Sequence, residues 1–211
     1  MVWLSMLIGW WAAGYGVAGS FRLFFNEEVK PQPWFSAAGG VGFALVTLSS
    51  ASPAERWTGY ILVLYLVTAA TIDLSRGLIP NRLNLTAALF FVMCHAISDG
   101  GWIEPLLVAS GGAAFLLAVA LLSRGGMGGG DIKMVAASGV ALDWTGMVSG
   151  LGVAIISGGF WSILLLLRGK AMKRTPLPFA PHLAIGFFVG FLWGEELVQG
   201  YLSYLHLESI L

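Results

Sequence analysis

Two aspartates stand where an apolar chain tolerates them least. Asp73 closes the run GYILVLYLVTAATI, and Asp131 opens the run IKMVAASGVAL. An ionisable group at membrane depth is costly enough to mark function by default. Two of them point to a carboxylate pair, and like charges at close range oppose double ionisation, so such a pair carries one proton. That proton belongs to the dyad rather than to either residue. The chemistry open to the pair is hydrolysis: one carboxylate takes a proton from water while the other, protonated, hydrogen-bonds the carbonyl under attack. No cofactor or metal is required for it. Cys94 is the one cysteine, which excludes an intramolecular disulfide and a multi-cysteine zinc site. His95, His182 and His206 fall in different segments without the local pairing of a metal motif, and Cys94 and His95 read as packing or interhelical hydrogen-bonding residues of an apolar helix.

The local context of each acid carries further information. Asp131 follows GGMGGG, in which Gly125 to Gly130 are interrupted only by Met127. Such a run reads as a flexible loop with close backbone contacts, placing Asp131 at or near a helix N-terminus, the positive end of the helix dipole. An ordinary N-cap is the plain alternative for this residue. Asp73 has no polar break before it and stands in the last turn of its helix, against the negative end of the dipole. The following SRGLIPNRL turns the chain at Gly77 and Pro80 and offers Asn81 as the next N-cap. Lys133, two residues beyond Asp131, points elsewhere on a helix, which leaves it an interfacial or substrate-contacting role.

The elements that must position these residues are membrane spans. The chain is 57% hydrophobic and 10% charged, with a mean hydropathy of +0.83, outside the range of soluble domains. A span needs about 20 mostly apolar residues. Segments near that length recur at Trp3–Phe21, Trp34–Ser50, Trp57–Leu74, Leu83–Ser98, Ile103–Leu122, Asp131–Leu142, Trp144–Leu167 and Phe179–Val198. The expected fold is an all-α polytopic bundle of about eight spans, six at the fewest, with the sixth short enough to be tilted or interfacial. The first segment lacks a preceding basic residue and a small-residue cleavage site, so it reads as a retained span rather than a signal peptide. The glycine series Gly186, Gly190 and Gly194 lines one face of the last span and is expected to pack on a neighbouring helix.

Basic residues gather in short cytoplasmic loops. With the N-terminus outside, the inner loops and helix ends hold Arg22, Lys30, Arg76, Arg82, Arg124, Lys133, Arg168, Lys170, Lys173 and Arg174, leaving only Arg56 outside. Glu55, Asp99, Glu104, Asp143, Glu195, Glu196 and Glu208 fall outside under the same scheme. Asp73 and Asp131 then share the cytoplasmic end. An odd error in span number between them would have put them on opposite faces.

The two aspartate segments also resemble a family. Gly128-Gly129-Gly130-Asp131-Ile132-Lys133 is similar to the Gly-x-Gly-Asp-x-Lys motif of prepilin peptidases, the membrane aspartic proteases that process type IV pilins and pseudopilins. Asp73 with Ile79-Pro80-Asn81 resembles the family's first catalytic aspartate and the turn after it, and Pro178-Phe179-Ala180-Pro181 with Ala184-Ile185-Gly186 resembles a third segment, which usually has glycine where Ala180 stands. The likeness runs from about Trp57 to Gly194, so the chain reads as one integral-membrane domain, 1–211, with a peptidase core at 57–194. It implies Asp73 and Asp131 as the catalytic residues. It also implies a prepilin or pseudopilin substrate, cut between a short basic leader and a hydrophobic helix at the cytoplasmic face of a bacterial inner membrane or an archaeal cell membrane. Bifunctional members carry a cysteine-bearing insertion associated with N-methyltransferase activity after their first span. Gly19-Ser20-Phe21 looks like its beginning, yet only Arg22 to Pro33 join the first two spans here and no cysteine is among them. A cleavage-only enzyme is therefore expected.

Other classes stay open at this level. A proton-coupled transporter or channel also places acids in a helical bundle, though with repeated topology or helices broken at midplane. A catalytically silent assembly subunit would keep the same spans. Presenilin-like proteases share Gly-x-Gly-Asp, but their first acid typically follows tyrosine, whereas Ile72 precedes Asp73 here.

Overall fold

A computed structural model describes residues 2–25, 33–49, 51–97, 101–123, 127–168 and 178–205. Lys30, Arg124, Lys170, Lys173, Arg174, Asp99, Glu208, His206, Gly125, Gly126, Ser50 and Ser98, with most of the segments 22–33 and 168–175, lie outside the described residues. Those described form eight helices: α1 (Val2–Phe25), α2 (Pro33–Leu48), α3 (Pro53–Arg76), α4 (Asn81–Ile97), α5 (Ile103–Leu122), α6 (Gly129–Gly139), α7 (Trp144–Leu167) and α8 (Ala180–Tyr204). The all-α bundle expected from the sequence is what the chain forms.

Helix ends follow local chemistry. Ser52 caps α3 with a capping box to Glu55, and Pro53 takes the first helical position, where a missing N–H costs nothing. At the other end Gly77 adopts φ 65°, a left-handed geometry that glycine enters without a Cβ penalty, and its N–H closes on the Asp73 carbonyl at 2.7 Å. Asp143 caps α7 by accepting from the Gly146 N–H at 2.7 Å. The first bonds of α4 close on the Pro80 carbonyl, from Leu83 at 3.0 Å and Asn84 at 3.3 Å.

Among the described residues α3, α5 and α7 are long and apolar enough to cross a bilayer, and α2 is a shorter apolar helix. Large apolar side chains such as Ile156, Phe160, Ile163 and Leu166 lie exposed along α7. A surface of that kind is stable against lipid rather than water, and the chain is an integral membrane protein. The short α6 has 11 residues; at a rise of ~1.5 Å each it reaches about half of a ~30 Å hydrocarbon core.

One buried core joins the helices that bear the acids, with Ile72, Ile79, Leu83, Met134, Val135, Ala180 and Leu183 all in it. The face formed by Gly186, Gly190 and Gly194 packs on α7, which answers with Gly146, Gly150 and Ala154 at the same four-residue spacing. Close backbone approach through small residues is how helices associate without a hydrophobic driving force. Between Gly190 and Gly194 of this contact α8 bends at Trp193, where φ is −137°. At the end of the bundle opposite the two aspartates, Glu55, Glu104, Asp143, Glu195 and Glu196 line one depression.

Candidate active site

Asp73 and Asp131 come to the same end of the bundle, both buried, with 6% and 8% of their surface exposed. Three segments distant in sequence meet there. The last turn of α3 supplies Asp73, and the first turn of α6 supplies Asp131. The N-terminus of α8 supplies the Ala180 N–H, which donates to Asp73 Oδ2 at 3.1 Å across 107 positions of sequence.

The bond from Ala180 changes the electrostatics around Asp73. Its own helix presents the negative end of a dipole, but α8 presents the positive end directly to the carboxylate, so two helix termini of opposite sign flank it. Only the backbone N–H takes part, so alanine in place of glycine at this position leaves the donor intact. The methyl group is accommodated as well, since Ala180 is fully buried.

Asp131 is the third residue of α6, not its cap. Gly128 occupies the N-cap position in extended backbone, and Gly129 and Gly130 are already helical, which corrects the expectation of a loop through Gly130. Tertiary contacts override the low helix propensity of these glycines. A β-carbon on Gly130 would stand 3.2 Å from the Ile79 β-carbon, so glycine there permits the Ile79-Pro80-Asn81 turn to press against α6. The Asp131 carboxylate lies back over Gly128, whose β-carbon, if present, would be 3.2 Å from Oδ2. Asp73 and Asp131 are near enough to interact coulombically.

Asn81, expected as a cap, has another partner: its Oδ1 accepts from Lys133 Nζ at 2.8 Å. Lys133 thereby ties the turn after Asp73 to the helix of Asp131. Two further residues escaped the sequence reading. The buried Tyr65 hydroxyl donates to Asn84 Oδ1 at 2.9 Å, and Asn84 Nδ2 donates to the Gly130 carbonyl at 3.2 Å. Polar side chains inside apolar helices turn toward the bundle interior, but Asn84 sits in the polar opening NRLN of its helix, where that signal is masked. The guanidinium of Arg76 lies over the Phe25 ring, 4.6 Å from its centroid, and brings the end of α1 beside the site. No group of three or more metal-ligating side chains occurs among the described residues.

Residues 60–163 match the family model described as the type IV leader peptidase family. The chain is similar to the prepilin leader peptidase/N-methyltransferase of Bacillus subtilis (strain 168), with 30% identity over 168 residues, 79% of this chain and 65% of that protein. The protein of the same name from Xanthomonas campestris pv. campestris is 34% identical over 167 residues, 72% of this chain and 56% of the relative. That of Aeromonas hydrophila is 31% identical over 152 residues, 68% of this chain and 51% of the relative. The chain thus spans less than two thirds of the length of these relatives. No solved structure matches it.

Proposed function

Because residues 60–163 belong to the type IV leader peptidase family, we propose that this chain is a membrane aspartic endopeptidase that removes the leader of a prepilin or pseudopilin, with Asp73 and Asp131 as its catalytic pair. The observation that carries the reading is the convergence of Asp73, Asp131 and the α8 N-terminus, each from a different motif segment, on one buried site at a bundle end. A site at a bundle end suits a scissile bond at the boundary between a polar leader and an apolar helix. The peptidase core is residues 57–194.

One carboxylate accepts a proton from water as the water oxygen attacks the scissile carbonyl, and the protonated partner donates to the developing oxyanion. Collapse of the tetrahedral adduct breaks the C–N bond, with the leaving nitrogen protonated by the carboxylic acid formed in the first step and a hydroxyl proton of the adduct passing to the other carboxylate, which restores the one-proton pair. Asp73 is held for this by the Ala180 N–H, and Asp131 by its place in the first turn of α6.

Purified protein in lipid or detergent should convert a prepilin-type precursor to its mature length on a gel, with one new N-terminus after the leader. Mass spectrometry of that product tests a second part of the proposal, cleavage without methyl transfer. The segment from Arg22 to Pro33 contains no cysteine, unlike the insertion of the bifunctional members that the chain resembles. The new N-terminal amine is expected unmodified with or without a methyl donor. A methyl-sized increase that depends on the donor would refute it.

The site is further proposed to face the cytoplasm at the inner membrane, with the N-terminus outside. Support comes from Arg76, Arg82 and Lys133 at the aspartate end and the five acids at the opposite end. In a Cys94→Ser background, cysteine placed at Leu78 or Ser123 should resist an impermeant thiol reagent added outside, while cysteine at Glu104 should react. The reverse pattern would invert the assignment.

A further inference from the structure

The chain that leads into Asp131 holds it through backbone alone, the Asp131 N–H donating to the Gly128 carbonyl at 3.1 Å, because Gly128, Gly129 and Gly130 carry no side chains to pack. Further support comes from the segment that follows Asp73. Ile79 presses against Gly130, Asn81 accepts from Lys133, and Asn84 Nδ2 donates to the Gly130 carbonyl at 3.2 Å. The last contact has the shortest path to the acid, since the Gly130 carbonyl belongs to the peptide whose nitrogen is that of Asp131. Asn84 is itself held by the Tyr65 hydroxyl at 2.9 Å, and Tyr65 lies on α3, the helix that carries Asp73. Tyr65 and Asn84 are each only 4% exposed.

We propose that Tyr65 and Asn84 are positioning residues, and that the chain from Tyr65 hydroxyl to Asn84 amide to Gly130 carbonyl sets the distance and angle of Asp131 relative to Asp73. This rests on the reading of the two aspartates as a catalytic pair. The amide can serve only one way round. A carbonyl has no proton to give, so Asn84 must present its NH2 to Gly130, which leaves its oxygen for the hydroxyl of Tyr65. Both ends of the amide are thus committed, and the peptide before Asp131 is referred back to the helix of Asp73. Loss of the link lets the first turn of α6 shift relative to the helix of Asp73 without removing a group from the reaction, so the effect falls on turnover rather than on substrate binding.

The experiment measures kcat and KM for cleavage of a prepilin-type precursor by the full chain carrying Asn84→Leu, Tyr65→Phe or both, with thermal unfolding as a control. Leucine keeps the branched four-atom outline of asparagine, with two methyl groups that neither donate nor accept. Because an ångström of misplacement costs about 100-fold in rate, Asn84→Leu should lower kcat by about that factor and leave KM near the parent value. Tyr65→Phe removes one hydroxyl and should lower kcat less. The double variant should match Asn84→Leu alone, because the tyrosine acts only through the amide. Parent-like kcat in folded Asn84→Leu, a loss confined to KM, or multiplying losses in the double variant would each overturn the proposal. Should Asn84→Leu fail to fold, Tyr65→Phe decides, a reduced kcat at unchanged KM supporting the link and a parent-like kcat refuting it. Asp131→Asn in the same series separates the two levels. Activity in that variant sinks the catalytic pair itself, whereas its inactivity beside a parent-like Asn84→Leu sinks only the positioning role.

Discussion

Asp73→Asn and Asp131→Asn are each expected to reduce cleavage of a prepilin-type precursor by about 1,000-fold or more while leaving the protein folded in the membrane. Asparagine keeps the shape of the side chain and an oxygen that accepts the Ala180 N–H, so the contact between α3 and α8 survives at position 73. What is lost is the ability to bind and release a proton. Either variant leaves a lone carboxylate beside a neutral amide, and a single acid cannot supply the base for water and the acid for the carbonyl at the same moment. The two losses should not multiply, because the pair works as one unit and removing either member already abolishes it. A gel assay with purified variants decides the point. Near-parental cleavage by Asp73→Asn or Asp131→Asn, at an unfolding midpoint equal to that of the parent, would remove that residue from the mechanism.

The acids were legible in the sequence because each is a charge in an apolar setting, where no packing role competes for the explanation. The stripe of Gly186, Gly190 and Gly194 was legible for a related reason, since a four-residue spacing puts small residues on one helix face whatever the partner is. Other parts of the site had no such signal. The donor to Asp73 is a backbone N–H at Ala180, and a backbone group has no residue type to betray it. Asn81 looked like a helix cap, a local role, but its partner Lys133 lies 52 positions away. Asn84 stands in the polar opening NRLN of α4, where nothing in the spacing separates a buried amide from a solvated one. Gly129 and Gly130 looked like loop on propensity alone and are helical because Ile79 and Asn84 hold them. The residues missed are those whose meaning depends on a partner from another helix.

The seam between α7 and α8 should be the most sensitive place in the bundle outside the site. A β-carbon on Gly190 would collide with the Gly146 carbonyl oxygen, and one on Gly186 with that of Gly150, so any larger side chain must drive the two helices apart. Overpacking of this kind typically costs about 1–3 kcal/mol, occasionally more. Gly190→Leu and Gly186→Leu are therefore expected to unfold at clearly lower denaturant than the parent. Gly200→Leu on the same helix should unfold at or slightly above the denaturant needed for the parent, since nothing lies within 4 Å of a β-carbon there and leucine is the better helix former. The comparison removes the intrinsic gain of replacing glycine in a helix, which is common to all three. Activity should follow distance from the site. Gly186 is six residues from Ala180, about 9 Å along the helix, so displacement there pulls the Ala180 N–H from Asp73. Gly194 lies beyond the bend at Trp193, which absorbs part of any shift before it reaches the helix start. Gly186→Leu should thus lose more turnover than Gly194→Leu at comparable loss of stability. Equal unfolding of Gly190→Leu and Gly200→Leu would show that the seam is not tight, and equal turnover in Gly186→Leu and Gly194→Leu would show that α8 does not transmit its position to Asp73.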